Sequence, residues 1–244
     1  MICFGWSGGS SSHYLREILL SQKFLSDLIV DKKISDVVAV EEELALTENV
    51  VSVWDFNETS GTILNDIHGS NNGTISGATL NQAGVLGTSY LFDGTNDFIT
   101  LTENVPLTGA FSISVWMNTP STTTNLTICN FGQMWYARRR SNLDGKLSAG
   151  GSYLGSAPTD NTDYMATFTY DGATLKIFEG ETEVGSYAAP SLTVSDAVTY
   201  IGRISSGQYF KGNMSYLSLW SRALSLANIS ELHNGGSGLA YGNW

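Results

Sequence analysis

The sequence predicts an all-β fold: a two-sheet antiparallel sandwich, preceded by a partly helical arm and closed by a short helix. Three observations predict it. Charged residues make up only 14% of the 244 residues, against about 25% in an ordinary globular protein. The polar surface comes instead from 30 Ser, 23 Thr, 17 Asn and 26 Gly, residues that suit turns and strand faces rather than helical bundles. From Val50 onward, short runs rich in β-branched and aromatic residues alternate with period two. Asp93-Gly94, Asp144-Gly145 and Asp171-Gly172 supply turn chemistry between them.

The elements follow in chain order. Residues 1–48 carry 12 of the 35 charged side chains. Within them Leu15, Ile18, Leu19, Phe24, Leu25, Leu28 and Ile29 form an apolar set, mostly at steps of three and four, which predicts an amphipathic helix over about 13–30. So few residues cannot bury a core of their own, and they are expected to be an anchoring and oligomerisation arm. Glu41-Glu42-Glu43 reads as a solvated face. Residues 49–244 form the expected domain. Its strand candidates are 50–56, 89–94, 97–101, 111–118, 126–132, 165–170, 174–179 and 214–220. In FSISVWMN, Phe111, Ile113, Val115 and Met117 alternate with Ser112, Ser114, Trp116 and Asn118, so the second face is expected to be wet or partly covered. So many strands in one unit require two packed sheets, which hide most edges. The final helix is expected in ALSLANISELHNGG, with Ser225 as N-cap, Ile229 and Leu232 on one face, and Gly235-Gly236 as the stop.

Charge and motifs exclude several classes. Twelve Lys and Arg against 23 Asp and Glu give a net charge of −11. That balance disfavours nucleic acid, whose phosphates are held mainly by Lys and Arg, and anionic membrane surfaces. No run reaches the roughly 18 apolar residues of a membrane span, so membrane insertion is not expected. The first 20 residues lack the basic start and continuous apolar segment of an export signal. Synthesis in a reducing cytoplasm is therefore expected, with Cys3 and Cys129 as free thiols and the five Asn-x-Ser/Thr sites unglycosylated.

The segments WDFNETSGTILNDIHGSNNGTISGATL, GVLGTSYLFDGTNDFITL and FSISVWMN stand in an order that resembles the opening of laminin-G-like jellyroll domains of the concanavalin A-like lectin and glucanase superfamily. TFTYDGATLKIFEGETEVGS resembles the hairpin of that family. YIGRISSGQYFKGNMSYLSLWSRALSLANISELHNGG resembles its closing strand and helix. The resemblance covers about 50–238 and implies a jellyroll sandwich. Two positions depart from the family pattern. Asn57 stands where an Asp is usual, and Met214-Ser215 where the closing strand often has Ile-Asp, so metal binding is not implied by the resemblance alone.

Lectins, glycanases and scaffolding modules share this fold, so function rests on sites. A glycanase needs two carboxylates about 5–9.5 Å apart. Glu179, Glu181 and Glu183 are the dense candidate for such a pair, and the resemblance places them at a hairpin tip, splayed into water. His13, His68 and His233 fall in no triad or metal spacing. The domain is expected not to be an enzyme. A candidate Ca²⁺ site is the turn DGTND, where Asp93, Asn96 and Asp97 offer oxygen ligands; the same residues also serve as ordinary turn formers. Asp66 lies on another turn as a further candidate ligand.

The candidate ligand surface is Trp135, Tyr136, Arg138 and Arg140, within FGQMWYARRRSNLDGK. Aromatic faces stack on sugar rings, and arginine forks clamp carboxylates; ordinary strand packing and a subunit contact are the competing readings. The arm, the low charge and the displayed sandwich resemble phage virion structural proteins such as capsid-decoration or tail-appendage proteins. The expected partners are other virion proteins and copies of the same chain, a trimer among the candidate assemblies, together with a cell-surface glycan. A carbohydrate-binding adhesin outside any virus particle is the alternative.

Overall fold

A computed structural model describes residues 44–105, 107, 109–121, 125–131, 136–140, 146–149, 152–153, 157–188, 198–204 and 207–244. The arm residues Leu15, Ile18, Leu19, Phe24, Leu25, Leu28 and Ile29 lie outside the described residues. The compact unit begins at Leu44. Residues 44–48, on the arm side of the boundary that composition suggests, are bonded into the sandwich. Leu46 is buried and its carbonyl accepts the Trp220 indole N–H at 2.8 Å. Arg222 donates to the carbonyls of Leu44, Ala45 and Glu48.

Sixteen strands are described: β1 Val50–Trp54, β2 Ile63–Leu64, β3 Gly73–Ser76, β4 Thr79–Ala83, β5 Thr88–Asp93, β6 Phe98–Leu101, β7 Phe111–Asn118, β8 Leu126–Asn130, β9 Tyr136–Arg140, β10 Lys146–Ala149, β11 Ser152–Tyr153, β12 Asp163–Tyr170, β13 Thr174–Glu179, β14 Thr182–Ala188, β15 Tyr200–Ile201 and β16 Lys211–Trp220. One helix, α1 Leu226–His233, follows. The described strands form two antiparallel sheets. Sheet A runs β14-β13-β12-β7-β16-β5-β4, with β1 also paired to β16. Sheet B runs β11-β10-β9-β8-β15-β6-β3-β2.

The alternation in β7 does what the sequence predicts on one side. Phe111, Ile113, Val115 and Met117 enter the main core between the sheets, with Phe168, Ile177, Leu217 and Leu219. The other side is not wet. Ser112, Ser114 and Trp116 are buried there, because α1 and the C-terminal segment lie across sheet A. A second core holds Trp116, Met165, Phe178, Trp220, Ile229 and Leu232, packed against Leu239, Tyr241 and Trp244. Ser112 Oγ donates to the Arg222 carbonyl and accepts the Leu224 N–H. Ser114 Oγ meets Thr167 Oγ1 at 3.0 Å. The central strands of sheet A are therefore packed on both faces.

β16 organises that sheet. It pairs with β7 along Asn213–Trp220, and β5 and β1 share its opposite flank end to end. The register shifts at Tyr216, whose φ of 54° marks the extra residue of a β-bulge. Met214 before it and Leu217 after it both face the main core. The Tyr216 hydroxyl, released to the outer side, accepts the Tyr241 N–H, and burial pushes its pKa up to about 12. In α1, Ser225 caps as expected by accepting the Asn228 N–H. The left-handed cap is Asn234 (φ 47°), one residue ahead of the glycine pair.

Candidate functional site

The residues that converge on sheet B define the candidate ligand-binding face. β15 is only two residues long and lies between β8 and β6. Beyond it Arg203 and Tyr209 form an antiparallel bridge, and the Gly207 N–H donates to the Ile204 carbonyl, which ties the hairpin ends. Gly202 makes this turn possible: its φ is +87° and an added Cβ would lie 3.0 Å from Phe92. The Gly202 N–H donates to the Ile128 carbonyl at 2.8 Å, so Arg203 is set beside Thr127 on β8.

The Arg203 guanidinium carbon lies 4.4 Å from the ring centres of both Phe98 and Tyr200, and 5.9 Å from that of Tyr209. Phe98 and Tyr200 meet edge to face at 6.0 Å. All four side chains are half-buried. The ring faces hold the cation by their quadrupoles. Among the described residues no carboxylate pairs with Arg203, although acidic residues outnumber basic ones 23 to 12. Among the described residues, Thr127 Oγ1, Arg203 Nε and Gln208 Oε1 are the buried side-chain polar atoms without a hydrogen bond. All three belong to this hairpin or the strand beside it.

The ligand surface predicted from sequence falls on the same sheet. Trp135 lies outside the described residues. Tyr136, Arg138 and Arg140 are on β9, and their side chains lie outside what is described. The backbone register pairs Tyr136 with Asn130, and Asn130 with Tyr200. It also pairs Arg138 with Thr127, and Arg140 with Lys146. One strand, β8, thus separates the predicted segment from the Arg203 cluster. Sequence reasoning passed over Arg203 because Phe98 joins it from more than 100 residues away; Tyr200 and Tyr209 on either side were the available signal.

The acidic candidates have other employment. Asp93 Oδ1 accepts the Thr95 and Asn96 N–H groups, and Asp97 Oδ2 accepts the Asp93 N–H. The DGTND carboxylates thus close their own turn, and burial pushes the Asp97 pKa up. Asp66 is committed elsewhere, accepting four backbone N–H groups. Among the described residues, no group of three or more His, Cys, Asp or Glu side chains is placed to hold a metal ion.

Asn57 is a turn brace: its Oδ1 accepts the Thr88 N–H, and its Nδ2 donates to Asp55. Met214 is buried in the main core. At the β13–β14 tip the carboxylates do not all splay into water. Glu181 meets His233 Nδ1 at 2.9 Å, a bond that holds its carboxyl below the usual range, and Glu183 pairs with Lys176 at 3.0 Å. His233 in turn stacks on Trp116. Cys129 is a buried thiol, and among the described residues no helix is long and apolar enough to cross a membrane.

The Laminin_G_3 family model, described as concanavalin A-like lectin/glucanases superfamily, matches residues 93–230, more than half of the chain. The chain belongs to this superfamily. Its Laminin_G_3 segment runs from the DGTND turn to α1 and includes every residue of the Arg203 cluster. Among solved structures, the sialidase of Trypanosoma rangeli superposes with a TM-score of 0.59 at 13% identity, over 80% of this chain and 34% of that one. The chain spans about a third of the length of the sialidases it matches. Domain 4 of AbnA, a GH43 extracellular arabinanase from Geobacillus stearothermophilus, in complex with arabinotriose, gives a TM-score of 0.60 at 18% identity. That match covers 75% of this chain and 97% of that one. The botulinum neurotoxin serotype D binding domain gives 0.57 at 15% identity, over 77% and 52%. At these identities the likeness concerns the fold. Among curated proteins, none matches the sequence.

Proposed function

We propose that this laminin-G-like domain is a non-enzymatic glycan-binding module that contacts sugar through sheet B around β15. The observation that carries the reading is the Arg203 cluster: half-buried Phe98, Tyr200 and Tyr209 around a cation that no acid among the described residues neutralises. Aromatic side chains offer sugars a flat apolar face, and polar groups beside them fix orientation. The arabinanase domain, whose structure holds arabinotriose, has the same fold and supports the reading by analogy. The absence of catalysis belongs to the proposal: Glu181, Glu183, Asp66 and Asp97 are each engaged in a turn or ion pair. A glycan array probed with the whole chain tests it. Tyr200→Ala and Tyr209→Ala should each weaken retention about tenfold, or ~1.4 kcal/mol. Unchanged retention by both variants, or release of reducing sugar from the arrayed glycans, would refute it.

The setting we propose is a virus particle, in which residues 1–43 anchor the chain and the jellyroll is displayed. The apolar arm set is what supports this, since each large side chain left in water forgoes roughly 1.5–3 kcal/mol. The fragment 44–244 should fold with normal cooperativity but fail to join particles. Incorporation at full occupancy would remove the anchoring role, and mass spectrometry finding the protein in cell secretions but not in purified virions would favour the free adhesin.

A further inference from the structure

We infer that the sugar bound at this face carries a single carboxylate, and that Arg203 is the residue that selects it. This inference rests on the glycan-binding reading above and goes further by naming the ligand class.

The rings of Phe98 and Tyr200 lie 4.4 Å from the guanidinium carbon. They take up space that a counter-ion from the protein would need. Nε is the buried nitrogen of the group without a partner. The terminal nitrogens are the edge left for a ligand, and a planar fork of N–H groups fits a carboxylate with two parallel hydrogen bonds.

Three features narrow the ligand to a carboxylated sugar. Arg203 is the one cation among the described side chains of this cluster, in a chain of net charge −11, so a singly charged group is favoured over a polysulfated or phosphorylated one, which the surrounding field repels. Thr127 Oγ1 and Gln208 Oε1 are buried and unpartnered beside it. An amide oxygen accepts and a hydroxyl both accepts and donates, which suits sugar hydroxyls and not a second anion. The rings supply the apolar surface that a pyranose needs. A sugar bearing one carboxylate meets the guanidinium edge with its acid and the rings with its apolar face.

The test is titration calorimetry of the full chain with two acid–neutral pairs: methyl galacturonide against its methyl ester, and 3′-sialyllactose against lactose. In at least one pair the acid should bind about tenfold or more tightly than its neutral partner; which pair responds separates a uronic from a sialic source. Arg203→Gln should abolish that preference. Arg203→Lys, which keeps the charge but loses the planar fork, should retain the fold by melting temperature and lose most of the preference. Equal binding of acid and neutral sugars, or a preference that survives Arg203→Gln, would overturn the inference while leaving glycan binding intact. Failure of all four sugars to bind, with the array also silent, would overturn both.

Discussion

Replacing Asp66 with alanine tests how much one buried carboxylate contributes to joining the two sheets. Asp66 Oδ1 accepts the N–H groups of Val53 (3.0 Å), His68 (3.1 Å) and Gly69 (2.8 Å), and Oδ2 accepts that of Asn71 (3.1 Å). His68 and Gly69 are exposed, so water takes over their N–H groups at little cost. Val53 and Asn71 are buried, and each orphaned N–H there costs about 1–3 kcal/mol. The expected loss is therefore about 2–6 kcal/mol, a large part of the 5–15 kcal/mol typical of a folded protein. The damage should spread, because Asn71 also accepts the Glu103 N–H and receives the Trp54 indole N–H on its carbonyl. Those bonds link β1 in sheet A to the end of β6 in sheet B. Asp66→Asn should lose less, since one oxygen still serves three donors and only the Asn71 N–H faces an amide NH₂. Urea unfolding followed by circular dichroism reads the free energy at constant m-value. A loss below 1 kcal/mol for the alanine variant would mean that water reaches Val53 and Asn71, and that the carboxylate is not what joins the sheets.

Three further outcomes follow from the geometry. Gly77 has φ +84°, and an added Cβ would sit 2.0 Å from Asp97 Oδ1; Gly77→Ala should cost about 2 kcal/mol or more, lowering the melting temperature by roughly 4–8 °C. Hydrogen bonds from Thr174 and Ala173 hold the Asp171 carboxyl below its ordinary range. A carboxyl depressed in the folded state contributes stability that is complete above its unfolded pKa, about 3.9, and is lost as pH falls through the lower folded value. Asp171→Asn should accordingly flatten the acid limb of stability against pH in urea titrations at pH 7 and pH 3. Deleting residues 239–244 removes Trp244, stacked 5.3 Å from Trp220, together with the Tyr241 N–H bonded to Tyr216. About 2–4 kcal/mol should be lost, with a red shift in tryptophan fluorescence as Trp220 meets water.

The sandwich was legible because its strands carry local signals. Phe111 to Asn118 alternate, Asp171-Gly172 closes a hairpin, and Ser225 stands as a capping residue ahead of the apolar i, i+3 pair Ile229 and Leu232. The covering of sheet A was not legible. Ser112 and Ser114 look like solvent-facing residues, and they are small because α1 and the 222–224 segment press directly onto them, their hydroxyls satisfied by Arg222, Leu224 and Thr167. A serine with a buried partner and a serine in water read alike in one dimension. The site was half legible for a related reason. A run such as WYARRR announces itself, whereas Arg203 becomes a site only when β6 delivers Phe98 and β15 delivers Tyr200 to the same place. Asp93 and Asp97, clustered in sequence, accept N–H groups of their own turn in space.

The position of β16 sets the order in which the chain can assemble. The strand that joins β7 to β5 and β1 spans residues 211–220, so during synthesis the two parts of sheet A have no common member until those residues have left the ribosome. Until then β7 and β5 each present an open edge, a template for pairing with a neighbouring nascent chain. Closure also depends on contacts between residues far apart in sequence, such as Trp220 with Leu46, which makes folding slow. Premature stop codons ahead of residue 211 should therefore yield aggregates rather than shortened domains. Expression yield should respond more to elongation rate and chaperone supply than to substitutions on the open face of sheet B.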